Sequence, residues 1–390
     1  MGNIMDYLEW RGDLTLEREP FCEVDNLLMS YLAYVRMEGI APQPGEMPKS
    51  LKEISQEFFQ IHSEEYLKKE KSLTRLAWKV MPKMVESERF ADIRIRNFVN
   101  YISQENEVQF CAMEILLDDG TSFVAYRGTD DSIVGWKEDF AMVTGEVPAQ
   151  ATAVEYLNYV GQNCDCELRV GGHSKGGNLA VYAAAQCEPE IQKRIMTIYN
   201  NDGPGFRQEF LDSPGFSMIR SRIVRIIPES SIVGLLLLHD TEPEIIKSTQ
   251  NGAMQHDGIT WDVCGNHFVR AKEINAGSIL FDKTLKKWMD EIEESKRGAF
   301  IEDLFSVLEA PGVETFTELQ NGGLRTLKEI LSKIEDLQPE SKKIIQQLVK
   351  CILSSSTELL TAPLIARRDE WVQGWERETE TEHFGQAEWK

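Results

Sequence analysis

The amino-acid sequence predicts an α/β fold: a mostly parallel sheet covered by helices on both faces, with a helical appendage at the C-terminus. Three observations support this fold class. Strand-like and helical stretches alternate from about residue 108 to residue 263, as in chains built from βαβ units. A strand, a glycine-rich turn and an alanine-rich helix follow one another between residues 166 and 185. After about residue 283 the apolar pattern is helical only.

The glycine-rich turn is Gly172-His-Ser-Lys-Gly176, which matches the G-x-S-x-G pattern of a nucleophile elbow. In such an elbow a sharp strand-to-helix turn lifts the serine hydroxyl out of the sheet. Gly172 and Gly176 lack the Cβ atoms that would collide as the strand and the helix close on each other. The pattern therefore predicts that Ser174 is a nucleophile. The alternative interpretation is a glycine-rich turn with an incidental serine.

The first hundred residues are predicted to form a helical segment. Apolar residues recur at helical spacing from Val24 to Val35, and Leu51–Lys69 and Leu73–Glu86 are amphipathic. Proline lacks a backbone N–H group, so Pro82 is expected to end or kink the last of these helices. We assign the aromatic residues of this segment to core packing.

The predicted sheet contains a hairpin. Val108–Leu117 and Ser122–Tyr126 are strand-like, and the Asp119-Gly120 pair between them is a strong hairpin signal. Helices are expected at residues 135–142 and 151–161, and further strands at residues 194–199, 222–227, 244–247 and 259–263.

We predict two regions in the chain. The α/β domain covers residues 1–280 and includes the helical segment 1–100; the helical appendage covers residues 281–390. Heptads are not sustained in the appendage, which disfavours a coiled coil. Its helical patterns lie at residues 285–294, 300–308, 324–337 and 341–353.

The composition disfavours several classes of partner. The chain has 42 Lys and Arg against 64 Asp and Glu, a net charge of -22, and such a surface repels nucleic acid. No apolar run is long enough to span a bilayer. Met1–Tyr7 lacks the features of a signal peptide, and the 7 cysteines show no framework spacing. We therefore expect a cytoplasmic location with reduced thiols, including those of Cys164 and Cys166.

A serine nucleophile needs a base, and the base needs an acid that orients it. Enzymes with this elbow carry the three groups in the order Ser, acid, His. His256 is the preferred base because it lies in a loop between two strand-like runs, where an imidazole can reach a nucleophile. His239 and His267 remain alternatives. His173, on the elbow itself, is expected to point elsewhere.

The preferred acid is Asp202, which directly follows the strand after the elbow helix. A carboxylate there lies at the carboxyl edge of the sheet, near Ser174. The alternative interpretation is a turn aspartate before Gly-Pro-Gly, a role that would explain the residue by itself. Glu229, after the next strand, is the alternative acid. Asp257 is disfavoured because adjacent side chains in a loop seldom meet in the required line.

Two backbone positions are candidates for an oxyanion hole. Lys175 is the first residue after the nucleophile, and its N–H group lies at the N-terminus of the predicted helix. Thr129 follows the strand that ends near Tyr126, and Gly128 before it allows a close backbone approach. An ordinary strand-end turn is the alternative interpretation of this loop.

Taken together, these motifs resemble the lipase-like α/β-hydrolases related to class 3 lipases, and within that group a bacterial family of uncharacterised proteins. The resemblance covers about residues 1–280. It rests on Val124–Thr129, Gly172–Gly177, Asp202–Phe206, Gln255–Asp257 with Trp261, and the opening segment Asp6–Leu14.

The resemblance implies an α/β-hydrolase fold, with Ser174 as nucleophile, His256 as base, and Thr129 and Lys175 N–H as oxyanion donors. The chain departs from the pattern at the acid. Class 3 lipases place it in an Asp-x-Val motif after the next strand, where this sequence has Ser230-Ser231-Ile232-Val233. The acid is then expected one strand earlier, at Asp202, or at Glu229.

The expected activity is that of a serine esterase acting on a small-molecule or lipid-like acyl ester, without a metal or an organic cofactor. The competing hypothesis is a hydrolase-derived binding module that keeps the pocket without turnover. A third is a scaffold that binds partner helices through the C-terminal segment. An intact Ser/His/acid set favours the enzyme, and the displaced acid favours the module.

Overall fold

An eight-stranded sheet, with its strands in sequential order, organises the fold. The computed structural model describes residues 2–68, 76–103, 108–129, 145–291, 293–313 and 322–337, together with residues 133, 137, 140, 142, 318–319, 341–342, 344–346 and 348–349. The strands are β1 (Lys49–Ser50), β2 (Arg94–Ser103), β3 (Val108–Leu116), β4 (Ser122–Tyr126), β5 (Leu168–His173), β6 (Ile195–Asn201), β7 (Ile223–Pro228) and β8 (Glu244–Ile246).

The direction of pairing changes at β4. Strands β1 to β4 pair antiparallel with their neighbours, and strands β4 to β8 pair parallel. Parallel strands bring their carboxyl ends to one edge, so the loops after β4, β5, β6 and β7 begin side by side. This confirms the predicted α/β-hydrolase-like sheet. Strand β2 was not predicted, and a separate two-stranded sheet pairs β9 (Val263–Cys264) with β10 (His267–Phe268).

Helices cover both faces of the sheet. They are α1 (Ile4–Arg11), α2 (Glu23–Leu32), α3 (Leu51–Ile61), α4 (Glu64–Leu67), α5 (Val80–Glu86), α6 (Pro148–Gln162), α7 (Lys175–Gln186), α8 (Pro189–Arg194), α9 (Gln208–Leu211), α10 (Pro214–Ile219), α11 (Ala276–Glu291), α12 (Glu294–Glu309) and α13 (Gly323–Glu335). Of the helices that the structure describes, none combines the length and the apolar character that crossing a bilayer requires.

Strand β4 shows how the two faces are filled. Successive side chains of a strand point to opposite faces. Phe123 and Ala125 pack into the cluster that includes α2 and the other N-terminal helices. Val124 and Tyr126 pack into the cluster built by α6, α7 and α10. The N-terminal helical segment is therefore one of the two layers that cover the sheet.

Two helix predictions in the N-terminal segment were inaccurate. The stretch Leu51–Lys69 forms two helices where it is described, because the Ser63 side chain accepts a hydrogen bond from Tyr66 N and starts a new helix, α4. Pro82 neither ends nor kinks a helix. It lies in the first turn of α5, where a missing N–H group costs no internal hydrogen bond.

Other predictions differ in smaller ways. The expected strand at residues 259–263 is a 3₁₀ turn, Gly258–Thr260, followed by the short β9. Helix α11 begins at Ala276, ahead of the helical pattern predicted from Leu285. The predicted helices at residues 135–142 and 341–353 fall largely outside the described residues.

Cys164 and Cys166 form a disulfide, so the prediction of two free thiols is wrong for this pair. The turn between α6 and β5 brings their Cα atoms to 5.5 Å, a usual separation for a bridge. Only this turn conformation decides the pairing, and the spacing C-x-C does not reveal it. The free cysteines among the described residues are Cys22, Cys111, Cys187 and Cys264.

A fully buried ion pair anchors the N-terminal helices to one another. Arg89 donates from Nε to Asp25 Oδ1 at 2.9 Å and from Nη2 to Asp25 Oδ2 at 2.5 Å. Tyr7 OH and Cys22 N donate to the same carboxylate. Burial by itself lowers the pKa of the Arg89 guanidinium, but the hydrogen bonds and charge of Asp25 raise it above its usual value.

We expect Asp25→Ala to lower the free energy of unfolding by about 3–5 kcal/mol, because it leaves the Arg89 charge buried without a counter-charge. Urea unfolding measures the change. The control is Glu190→Ala, which breaks the exposed pair with Lys193 and should cost less than about 1 kcal/mol. Equal losses in the two variants would contradict the anchoring role.

Candidate active site

Ser174 lies at the sharp turn between β5 and α7. Its backbone has φ 59 and ψ -134, a region that residues other than glycine adopt only when the surrounding structure enforces it. The turn is held by a hydrogen bond from Ser174 N to Asn201 O at 2.9 Å. The side chain is 3% exposed. This is the geometry that a nucleophile elbow requires.

Glycines allow the backbones around Ser174 to approach one another. A Cβ atom at Gly172 would overlap the Gly176 carbonyl, so strand and helix can close only without it. A Cβ atom at Gly128 would overlap the His173 carbonyl and lie 2.9 Å from Ser174 Cβ. The loop that carries Thr129 therefore passes directly beside the nucleophile.

His256 and Asp202 form a buried pair at the same edge of the sheet. His256 Nδ1 is 2.7 Å from Asp202 Oδ2, and their side chains are 7% and 0% exposed. Asp202 follows β6, and its N–H group donates to Ile226 O on β7 at 2.8 Å. The His256 ring centroid lies 4.6 Å from that of His173, the residue before Ser174. The structure thus pairs Asp202 with His256 and places His256 beside His173, the residue directly before Ser174.

The second oxygen of Asp202 is held by a residue that the sequence analysis did not select. Ser231 Oγ donates to Asp202 Oδ1 at 2.5 Å and accepts from Gly234 N at 3.1 Å. Ser231 stands in the segment where class 3 lipases carry their acid. That position in the sequence was the available signal for Ser231, which here donates a hydrogen bond to Asp202. Arg225 lies nearby, and burial lowers its pKa to about 10 although the Asp202 charge acts in the opposite direction.

The alternative site residues lie elsewhere. His267 is exposed on β10. His239 has its Nε2 atom buried without a hydrogen-bond partner, and burial holds its pKa well below the usual value. Glu229 is half-buried, and its backbone N–H group donates to Ile246 O. The Asp257 carboxylate accepts from Tyr31 OH at 2.8 Å. His256 Nδ1 pairs with Asp202.

Both candidate oxyanion positions are buried beside the elbow. Lys175 is the first residue of α7, so its N–H group points out of the helix N-terminus, where the partial positive charge of the helix dipole lies. Thr129 follows β4 and Gly128. Both positions therefore stay candidates for oxyanion donors.

The C-terminal helices pack against loops that surround this site. Phe140, after the Thr129 loop, contacts Phe305 of α12 with ring centroids 5.4 Å apart, and Lys137 Nζ pairs with Glu302 Oε2 at 2.5 Å. Phe140 and Phe305 belong to one apolar cluster. That cluster also includes residues that follow Ser231 or precede His256 along the chain: Ile232, Val233, Leu236, Leu237 and Ala253. An apolar cluster therefore packs against the loops that carry Ser231 and His256.

Among the residues that the structure describes, no group of three or more His, Cys, Asp or Glu side chains is arranged to hold a metal ion. The candidate site instead combines a hydroxyl, an imidazole and a carboxylate, the donor set of acyl-transfer chemistry.

The sequence matches the model of the Mbeg1-like family over residues 84–306, more than half of the chain. The chain belongs to the Mbeg1-like family. The family match includes Ser174, Asp202 and His256, and it begins after helices α1 to α4 and within α5. No curated protein matches the chain.

Two solved lipase structures are similar to this Mbeg1-like chain. The Rhizomucor miehei lipase propeptide complex is 22% identical with a TM-score of 0.29, and the match covers 40% of this chain and 57% of the lipase chain. The M37 lipase is 17% identical with a TM-score of 0.33, covering 54% of this chain and 69% of the lipase chain. The match thus spans little more than half the length of the first lipase.

Proposed function

We propose that this protein is a serine hydrolase that cleaves a carboxylic ester through an acyl-enzyme on Ser174. The observation that carries the proposal is the buried His256–Asp202 pair, 2.7 Å apart, beside a serine held at φ 59 on a strand-to-helix turn. A plain glycine-rich turn would need neither the imidazole nor the carboxylate. Three groups of these types at one sheet edge are what acyl transfer requires.

In the proposed acylation step, His256 Nε2 takes the proton of Ser174 as its Oγ attacks the ester carbonyl carbon. The carbonyl oxygen becomes an oxyanion, which Lys175 N–H and Thr129 stabilise. The imidazolium then gives its proton to the leaving alkoxide, and the C–O bond of the ester breaks. Asp202 holds His256 in the tautomer with hydrogen on Nδ1 and stabilises its positive charge.

Water completes the proposed cycle. His256 removes a proton from water, which attacks the acyl-enzyme, and Ser174 recovers its proton as the carboxylic acid leaves. Ser231 keeps the second Asp202 oxygen hydrogen-bonded throughout, so the carboxylate does not rotate away from His256. We propose an acyl ester with an apolar, lipid-like chain as substrate, because the cluster around the site is apolar.

We also propose that the protein is bacterial and cytoplasmic. The bacterial source rests on the likeness of the opening segment Asp6–Leu14 to a bacterial family. The cytoplasmic location rests on composition, and the Cys164–Cys166 disulfide argues against it, because such bonds persist mainly in oxidising compartments.

A fluorophosphonate probe tests the proposal directly. We expect the folded protein to be labelled covalently and stoichiometrically, and peptide mass spectrometry to place the label on Ser174, because only an activated serine attacks the probe at a useful rate. Heat-denatured protein is the control and should not react. A folded protein that stays unlabelled would favour the binding module.

A further inference from the structure

Tyr34, from the turn after α2, reaches the nucleophile elbow. Its hydroxyl is 3.0 Å from His173 Nδ1 and 3.2 Å from His173 O, and the two rings meet edge to face at 5.8 Å. His173 is the residue directly before Ser174. Tyr34 lies in the N-terminal segment, ahead of residue 84, where the family match begins.

The other nitrogen of His173 reaches the loop of the proposed base. His173 Nε2 is 2.7 Å from His256 O. A carbonyl oxygen only accepts, so Nε2 carries the hydrogen, and in the neutral ring Nδ1 is then the acceptor of the Tyr34 hydroxyl. Burial, reinforced by the charge of His256, holds the pKa of His173 well below its usual value and so keeps the ring neutral.

The same hydroxyl also touches the candidate oxyanion loop. A Cβ atom at Gly128 would overlap Tyr34 OH, so this oxygen occupies the space that glycine leaves open. One phenol group therefore contacts the loop that leads to Thr129, contacts the elbow at His173, and reaches the His256 backbone through the His173 ring.

The neighbouring tyrosine supports the same loop from a second point. Tyr31 OH donates to Asp257 Oδ1 at 2.8 Å, and Asp257 directly follows His256. The α2 region thus contacts the His256 loop at two points. Tyr31 bonds to the Asp257 side chain, and Tyr34 reaches the His256 carbonyl through the His173 ring.

We propose that Tyr34 and His173 are positioning residues that set the distance between His256 and Ser174. The inference rests on the proposed function, because it assigns how that site is held. The proposed role requires no contact between either residue and the substrate. Misplacing a reacting group by about 1 Å can cost up to about 100-fold in rate, so a backbone anchor at His256 has a measurable effect on turnover.

The test is Tyr34→Phe, which removes the hydroxyl and keeps the ring. With p-nitrophenyl butyrate we expect kcat to fall about tenfold while KM stays within about twofold, since a positioning group acts on the chemical step and not on uniform substrate binding. The matched control is Tyr156→Phe, which loses a Tyr OH bond to the Asn97 carbonyl at 2.8 Å on the far side of the sheet. It should keep both constants.

A double-mutant cycle separates positioning from general stability. If Tyr34 acts through His173, then Tyr34→Phe in a His173→Leu background should lower kcat no further, whereas independent effects would multiply. Wild-type kcat in Tyr34→Phe, an equal loss in Tyr156→Phe, or multiplicative losses in the cycle would each overturn the proposal. Should His173→Leu not fold, the two tyrosine variants decide alone.

The two proposals fail in different ways. If a folded Ser174→Ala protein still turned over the ester, both the proposed function and the positioning role would be wrong. If Ser174→Ala were inactive and Tyr34→Phe fully active, only the positioning role would be wrong.

Discussion

Ser174→Ala is expected to abolish turnover of short p-nitrophenyl esters while the protein stays folded. The loss should be on the order of 10⁶-fold, as when a serine protease loses its nucleophile, because no other group can form the acyl-enzyme. Alanine fills less space than serine, and the N–H group of residue 174 keeps its bond to Asn201 O. The measurement is kcat/KM with p-nitrophenyl acetate or butyrate, alongside circular dichroism.

The matched control is Ser217→Ala. Ser217 lies exposed on α10, and its Oγ donates only to Ser213 O in its own helix. It should keep full activity. If a folded Ser174→Ala variant retained the wild-type rate, the nucleophile assignment would be wrong. If both variants lost activity, the loss would reflect damage to the protein and not missing chemistry.

Asp202→Asn is expected to lower turnover by about 10⁴-fold, the loss found for the same change in a serine protease. The carboxylate accepts from His256 at 2.7 Å and from Ser231 at 2.5 Å. An amide keeps the shape but lacks the charge that stabilises the imidazolium, and it can favour the wrong tautomer of His256. Asp202 has φ 52, which asparagine also tolerates, so the backbone turn should survive.

Glu229→Gln is the control, because the alternative acid lies after the next strand of the same sheet edge. We expect this variant to keep nearly full activity. The reverse pattern, with an active Asp202→Asn protein and a crippled Glu229→Gln protein, would move the acid to the later strand. Activity in both variants would indicate that Ser174 and His256 work as a pair or with another carboxylate.

The sharp turn at Ser174 could be predicted from the sequence because its signal is local. Ser174 needs a strand, a tight turn and a helix in contiguous residues, and all three are visible between residues 166 and 185. The alternation of strands and helices likewise predicted the sheet. Strand β2 was not predicted, because the Asp-Gly hairpin signal lies after β3 and no comparable signal marks β2. The Cys164–Cys166 disulfide was not predicted, because only the conformation of the turn brings the two cysteines into bonding position.

Asp202 and His256 could be selected as candidates, but their pairing depends on the paths of two loops. They are 54 positions apart, and His239 and His267 met the same requirement of chain order. In the folded chain His239 Nε2 is buried without a hydrogen-bond partner, and His267 is exposed. The loop position favoured His256, but chain order and loop position do not fix which histidine meets Asp202, because each loop's direction is set by what it packs against.

By itself, the sequence determined the fold class and the position of the elbow serine, Ser174, since both depend on residues that are neighbours along the chain. Only the tertiary structure decided which acid and histidine meet, that Ser231 holds the acid, and that Tyr34 reaches His173 across 139 positions. Those contacts form when α2 packs on the sheet and the strand ends align at one edge. A hydrogen bond between distant residues leaves no periodicity or spacing in a single sequence, so side-chain pairing of this kind becomes visible only in the folded protein.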